Sequence, residues 1–270
     1  MIYEHGVYEV QQSDIVIYSD ACPSAPEVIA AYALYNAQQR NSRIHVQPPY
    51  SYFAFIGEIS KYFSTIAIAG THGKSTTTAL LTYTLSQTDN QFALGILGAL
   101  VPQLNNTNYW LNPDHKEDIA SIFDHIFTGK RPKRDESLRK KYRFAIEADE
   151  FNRHFLHLDI DDAIILNAEL DHSDIYADDS EYMETFFQFL ALVKRHTYVL
   201  QGEKGIDKII DHAKTQPHLI DKLSVVAPAN ISDIHLGHLF GVHNQKNALL
   251  VKTLCTQYNL EVDTSFLTFT

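Results

Sequence analysis

A lysine and a serine follow a glycine at residues 73–75, inside the run Thr65-Ile-Ala-Ile-Ala-Gly-Thr-His-Gly-Lys-Ser-Thr-Thr-Thr78. An apolar segment enters this turn, and a helix-forming segment continuing through Ala79-Leu80-Leu81 leaves it. A strand–turn–helix of that kind aims backbone N–H groups and a helix N-terminus at one point, which suits a nucleoside triphosphate. Gly70, Thr71, His72, Gly73, Lys74, Ser75 and Thr76 are therefore the candidate phosphate-binding residues. The common form of the pattern has another Gly five positions before Gly73, where this chain has Ile68. His72 also fits a loop histidine that bonds only to backbone.

Two later apolar runs end in acids and a histidine: Tyr142-Arg-Phe-Ala-Ile-Glu-Ala-Asp-Glu150 and Ala163-Ile-Ile-Leu-Asn-Ala-Glu-Leu-Asp-His172. In a parallel sheet both runs emerge on the edge that carries the phosphate loop, bringing Glu147, Asp149, Glu150, Glu169, Asp171 and His172 near a bound triphosphate. Carboxylates beside phosphate repel it unless a divalent cation stands between them. Mg²⁺ answers that need, with the Ser75 hydroxyl as one ligand. Taken singly, each acid fits a helix N-terminus or a solvated surface equally well. Further on, Leu239-Phe-Gly-Val-His-Asn-Gln-Lys-Asn-Ala-Leu-Leu250 starts a helix on which Asn244 and Asn247 share a face, with His243 at the turn. Amides suit the edge of an adenine, although the segment alone is also an ordinary Asn-capped helix.

The elements that hold these residues read as an α/β fold with a mostly parallel sheet flanked by helices. Strand-like runs fall at Thr65–Ala69, Tyr142–Glu147, Asp162–Asn167, Thr197–Leu200 and Ser224–Ala227, nearly all apolar as expected for strands covered on both faces. Helical patterns are clearest at Thr76–Ser86 and Asp179–Lys194. Before them lie a short strand at Asp14–Tyr18, a helix at Glu27–Gln38, a strand at Arg43–Val46 and a helix at Tyr52–Tyr62. This gives a partial N-terminal α/β unit over residues 1–62 and a central nucleotide-binding domain over residues 63–270. The Asn- and Pro-rich stretch Pro102–Lys116 reads as a loop. Lys130–Arg143 holds eight of the 22 basic side chains, either steering an anion or simply solvated. His235 and His238 have the spacing of a metal pair, but with only Asp233 nearby they read as ordinary histidines, as do His154 and His157.

With a formal charge of −11, general nucleic-acid binding is not expected. The two cysteines, Cys22 and Cys255, stand in unrelated contexts and do not ask for a disulfide. Neither a signal peptide nor a spanning segment is expected, so no membrane role is assigned and a cytoplasmic location is the expectation.

Together these motifs resemble the ATP-dependent Mur ligases of peptidoglycan synthesis. Ala69-Gly-Thr-His-Gly-Lys-Ser-Thr-Thr-Thr78 is similar to that family's phosphate loop. Glu147-Ala-Asp-Glu-Phe-Asn-Arg-His-Phe-Leu156 resembles its Glu-Ala-Cys/Asp-Glu motif followed by Arg-His-Phe-Leu. Asn167-Ala-Glu-Leu-Asp-His-Ser-Asp-Ile-Tyr176 resembles the Asn-x-Glu-x-Asp-His motif, and Gly241-Val-His-Asn-Gln-Lys-Asn-Ala-Leu249 the helix start that borders adenine. Ile17-Tyr-Ser-Asp-Ala-Cys-Pro-Ser-Ala-Pro-Glu27 is similar to the end of the family's first domain.

The resemblance implies ATP and Mg²⁺ as the nucleotide and its cation. It puts Lys74 on the β- and γ-phosphates, Ser75, Glu147 and His172 on metal, and His243, Asn244 and Asn247 around adenine. Lys74, Glu147 and His172 would carry the catalysis. UDP-N-acetylmuramate and L-alanine are the implied substrates, joined through an acyl phosphate. A ligase attaching a recycled peptide to the same sugar nucleotide is the near alternative, and a nucleotide-binding module or ATPase without ligase activity the distant one. Complete members of the family have three domains. This chain is expected to hold part of the first and all of the second, with the C-terminal domain absent or supplied by a partner chain.

Overall fold

The computed structural model describes residues 15–38, 47–128, 141–171, 175–228, 231, 234 and 241–262. The expected strand at 43–46, most of the basic run, His172, Asp233, His235 and His238 lie outside these residues.

Pro23 and Pro26 break the chain after β1 (Ile17–Tyr18), and Pro26, needing no N–H donor in a first helical turn, opens α1 (Pro26–Gln38). β2 (Tyr50–Ser51) returns parallel to β1, with Ile17 opposite Tyr50. Ser51 then caps α2 (Tyr52–Ser60), its hydroxyl accepting the Ala54 N–H at 3.3 Å. A two-stranded sheet and two helices thus stand beside the larger sheet.

That sheet begins with β3 (Ser64–Ala69), buried at every position. The chain continues through α3 (Lys74–Thr88), β4 (Phe92–Val101), β5 (Thr107–Leu111), α4 (Lys116–Thr128), β6 (Arg143–Glu147), β7 (Asp162–Ile165), α5 (Asp179–Leu192), β8 (His196–Leu200), α6 (Ile206–Lys214), β9 (Leu223–Val226) and α7 (Val242–Gln257). The seven strands lie in the order β5-β4-β6-β3-β7-β8-β9, all neighbours parallel except the β4–β5 pair. This is the α/β class that the run of apolar strands predicts.

Alternation along β3 sorts the core into two layers. Ile66 and Ile68 pack with Leu80, Leu81, Leu249 and Leu250 of α3 and α7. Ala67 and Ala69 face the opposite layer, with Phe55, Ile119, Phe186 and Ile209 from α2, α4, α5 and α6. With helices on both sides, no face of the central strands meets water, which is why their sequences carry no polar alternation.

One expectation is corrected. Pro102–Lys116 is not simply a loop, because β5 lies within it and pairs antiparallel to β4, with Gly95 opposite Trp110. Asn105 and Asn106 make the turn in the left-handed region, at φ 61° and 56°, which Asn tolerates better than most residues. The Asn-rich signal therefore marks a hairpin turn, and Thr107-Asn-Tyr-Trp-Leu111 is the returning strand, its Trp110 stacked on Phe92 with ring centroids 4.8 Å apart.

At the sheet edge away from the loop that follows β3, the chain after α7 is tied to the starts of β3, β6 and β7. Arg195 Nη2 reaches Asp162 Oδ2 at 2.6 Å, Ser64 Oγ at 2.7 Å and the Tyr258 hydroxyl at 2.9 Å. The Tyr258 hydroxyl also donates to Asp162, and the Arg143 guanidinium lies 4.2 Å from the Tyr258 ring centroid. Among the described residues, no helix is long and apolar enough to cross a membrane.

Candidate functional site

β3 sits at the centre of the sheet, between β6 and β7, so the ends of all three strands converge on whatever β3 leads into. It leads into Gly70, at φ 137°, and then Gly73, at φ 86°, which opens α3. Left-handed backbone at Gly73 turns the chain tightly enough for the first N–H groups of α3 to face the turn, and those groups have no partner within the helix.

The exit of β7 clamps this loop. Asn167 accepts the His72 N–H at Oδ1 (2.9 Å) and donates from Nδ2 to the His72 carbonyl (3.1 Å). The Thr71 hydroxyl donates to the Glu169 carbonyl at 2.8 Å and accepts from the Glu169 N–H at 3.0 Å. Its remaining acceptor position lies 2.8 Å from the buried Tyr182 hydroxyl, which completes what one hydroxyl can do. The loop is thus held from outside at two consecutive residues.

Lys74 and Ser75 each meet one acid from the exit of β6. The Lys74 ammonium donates to the carbonyls of Gly70 (2.7 Å) and Thr71 (3.2 Å) and stands 2.9 and 3.1 Å from the two carboxylate oxygens of Glu150. The Ser75 hydroxyl donates to Glu147 Oε1 at 3.0 Å, and the Gly98 N–H, from β4, donates to Glu147 Oε2 at 2.8 Å. Burial lifts the Glu150 carboxyl above the ordinary range, and Lys74 offsets that only in part.

The other expected acids point elsewhere. Burial alone would raise Asp149, but bonds from His154 and the Phe151 N–H outweigh it and hold the carboxyl below its usual value. Glu169 pairs with Lys204 at 2.5 Å, and Asp171 is exposed. On α7, Asn247 reaches the loop: a Cβ placed on Gly73 would lie 2.8 Å from its Nδ2. Asn244 is half-buried and His243 exposed on the first turn of that helix.

A cavity of about 290 Å³ opens beside Glu147, with Tyr52, Phe53, Ile96, Gly98 and His154 in its walls. His154 is buried, stacked on Phe53 at 3.7 Å, with Nε2 3.0 Å from Asp20 and Nδ1 3.4 Å from Asp149. It packs as an ordinary histidine does, but between two carboxylates that join the N-terminal segment to the central sheet. His157 is exposed. Sequence reasoning missed Gly98 and Tyr182 altogether, and only the Arg-His-Phe-Leu run offered a signal for His154. Among the described residues, no group of three or more His, Cys, Asp or Glu gathers to hold a metal.

The arrangement brings together a cation, a helix N-terminus and a hydroxyl–carboxylate pair next to a cavity. Such a set can bind an anionic leaving group and, within a few ångströms, a second reactant.

No protein-family model matches the chain. It is 26% identical over 274 residues to UDP-N-acetylmuramate--L-alanine ligase of Desulfitobacterium hafniense, covering 94% of this chain and 52% of that ligase. The enzyme of the same description from Lactiplantibacillus plantarum is 32% identical over 159 residues, 59% of this chain and 28% of the relative. The chain therefore spans about half the length of the first relative. Among solved structures, UDP-N-acetylmuramate:L-alanyl-gamma-D-glutamyl-meso-diaminopimelate ligase from Neisseria meningitides superposes with a TM-score of 0.66 at 17% identity, covering 99% of this chain and 84% of that one. That likeness is one of fold.

Proposed function

We propose that this chain, which belongs to the Mur ligase family, carries the ATP-binding core of a ligase that joins L-alanine to the muramyl carboxylate of UDP-N-acetylmuramate. The observation that carries the reading is the convergence of Lys74, Ser75 and Glu147 at the ends of two adjacent parallel strands, with Ser75 Oγ and Glu147 Oε1 3.0 Å apart. Sequence likeness to ligases of that description supports the choice of substrates.

The carboxylate attacks the γ-phosphate, ADP leaves, and an acyl phosphate forms. The amine of the amino acid then attacks the acyl carbon, loses its proton, and expels inorganic phosphate from the tetrahedral intermediate. Lys74 would take the β- and γ-phosphates, and the N-terminus of α3 with Gly70–Thr76 would cradle them. Two anions must approach each other for the first step, so cationic groups at the loop lower its barrier electrostatically. The cavity beside Glu147 would admit the carboxylate end of the sugar nucleotide. His243, Asn244 and Asn247 would border adenine, and Asn247 already covers Gly73.

Ser75 and Glu147 are hard oxygen donors held side by side, a pair that suits Mg²⁺ and not a soft metal. Bound there, the cation would neutralise phosphate oxygens, and His172 would hold a second cation. We read residues 1–62 as the sugar-nucleotide side and 63–270 as the nucleotide-binding domain, in a cytoplasmic enzyme.

The test is Mg²⁺-dependent phosphate release from ATP with UDP-N-acetylmuramate and L-alanine together, and with each omitted. Release that needs both, with the alanyl product seen by mass, supports the reading. Release that needs a peptide in place of L-alanine points to the peptide-attaching ligase. ATP turnover indifferent to both would overturn the ligase reading, whereas binding without turnover that Lys74→Ala abolishes fits an ATP-binding core that works only with a further domain or a partner chain. Lys74→Ala should lose several kcal/mol of transition-state stabilisation, about what one key electrostatic donor supplies.

A further inference from the structure

Glu150 is the most deeply buried acid at the site: its side chain is 1% exposed, against 14% for the Lys74 it touches. Its backbone is pinned, since the Tyr176 hydroxyl and the Arg153 N–H both donate to its carbonyl.

An ammonium has three N–H groups. Those of Lys74 face four acceptors: the Gly70 and Thr71 carbonyls and both oxygens of Glu150. All its donor capacity is committed. A phosphate oxygen can engage Lys74 only by displacing one of these acceptors. The two carbonyls belong to the loop backbone, which the nucleotide needs in place. The carboxylate is the one acceptor that also repels phosphate.

We infer that Glu150 is an internal competitor of the nucleotide: its carboxylate occupies the Lys74 ammonium that a phosphate oxygen requires, and so lowers nucleotide affinity while holding Lys74 extended along the loop. Glu150 is then a positioning residue that acts through Lys74. The inference rests on the reading above that this loop binds a nucleoside triphosphate. Exchange of one charge-assisted bond for another leaves a small net gain, whereas a neutral partner would surrender Lys74 at lower cost.

The experiment is calorimetric titration of ATP and ADP into the full chain with EDTA present, for wild type, Glu150→Gln, Glu150→Asp and Lys74→Ala with and without Glu150→Gln. Melting temperatures are measured alongside. Glu150→Gln should bind both nucleotides about tenfold more tightly. Glu150→Asp, whose carboxylate is one methylene shorter, should shift the same way by less. In the Lys74→Ala background the gain from Glu150→Gln should shrink markedly, leaving only the relief of carboxylate–phosphate repulsion. A purely structural glutamate predicts the opposite sign, weaker binding together with a lower melting temperature. Equal or weaker binding by a folded Glu150→Gln overturns the inference. Should that variant fail to fold, equal or weaker binding by Glu150→Asp overturns it just as well. A wild-type chain that binds neither nucleotide would instead overturn the reading of the loop itself.

Discussion

The Asn247 side chain covers Gly73, its Nδ2 standing 2.8 Å from where a Cβ on Gly73 would be. One residue opens α3 at φ 86° and the other belongs to α7, in the last stretch of described chain. Their contact joins the loop after β3 to the first turns of α7. Gly73→Ala would meet both the amide and the strain of left-handed backbone, the latter on the order of 1–2 kcal/mol. We expect the variant to fold with a lowered melting temperature and to bind ATP at least about tenfold more weakly, as read by calorimetry beside thermal denaturation.

Gly98 supplies a second close approach. A Cβ there would fall 2.6 Å from Glu147 Oε2, so Gly98→Ala must push the carboxylate away from Ser75. The backbone of Gly98 is not left-handed, and the residue is exposed, so little stability should be lost. The expected result is a higher Mg²⁺ concentration for half-maximal ATP turnover, with metal-free nucleotide affinity unchanged. An unaltered Mg²⁺ requirement would show that Glu147 does not hold the cation.

Tyr258 lies at the other edge of the sheet, where its hydroxyl bonds to Asp162 and Arg195. Tyr258→Phe removes one charge-assisted partner, but Asp162 keeps Arg195 and the His196 N–H. A loss of about 1–2 kcal/mol in urea unfolding is expected. Nucleotide affinity should not change, because the network stands at the strand starts and the loop at their ends.

Burial pushes the Cys255 thiol up to about 12 from its ordinary 9.0, while Cys22 is exposed. At pH 8 a thiol reagent should modify Cys22 readily and Cys255 only after denaturant is added. The linkage has a definite sign. A raised folded-state value means that the neutral thiol's contribution to stability is intact below about pH 9 and is lost as pH rises through about 12. Cys255→Ala should therefore remove part of the alkaline loss seen in melting temperature. Equal labelling of both thiols in the native chain would contradict this burial.

Much of this architecture was legible because parallel strands buried on both faces announce themselves as apolar runs. β3, β6, β7, β8 and β9 all fall where such runs stand, and the loop of residues 70–73 falls where β3 ends. The convergence of Glu147 and Glu150 on that loop followed from strand direction alone. Which acid meets Lys74 and which meets Ser75 did not, because three residues of irregular chain after β6 decide it. β5 was hidden by the Asn and Pro of its own hairpin turn. Gly98 became visible only through its contact across the sheet to Glu147, and the Asp20 partner of His154 only through the packing of the N-terminal segment, which no local pattern encodes.

The central place of β3 also sets an order of events during synthesis. Ser64 pairs with Arg143 and Ile66 with Asp162, partners that leave the ribosome long after β3 itself. Until then the segment Ser64–Ala69 has no neighbour on either edge, and its six buried positions are exposed. Non-local pairing of this kind slows folding and leaves open strand edges that invite aggregation. The residues proposed to cradle the phosphates are therefore translated early and shaped late. Nascent chains that stop short of about residue 165 should bind chaperones before they can bind a nucleotide.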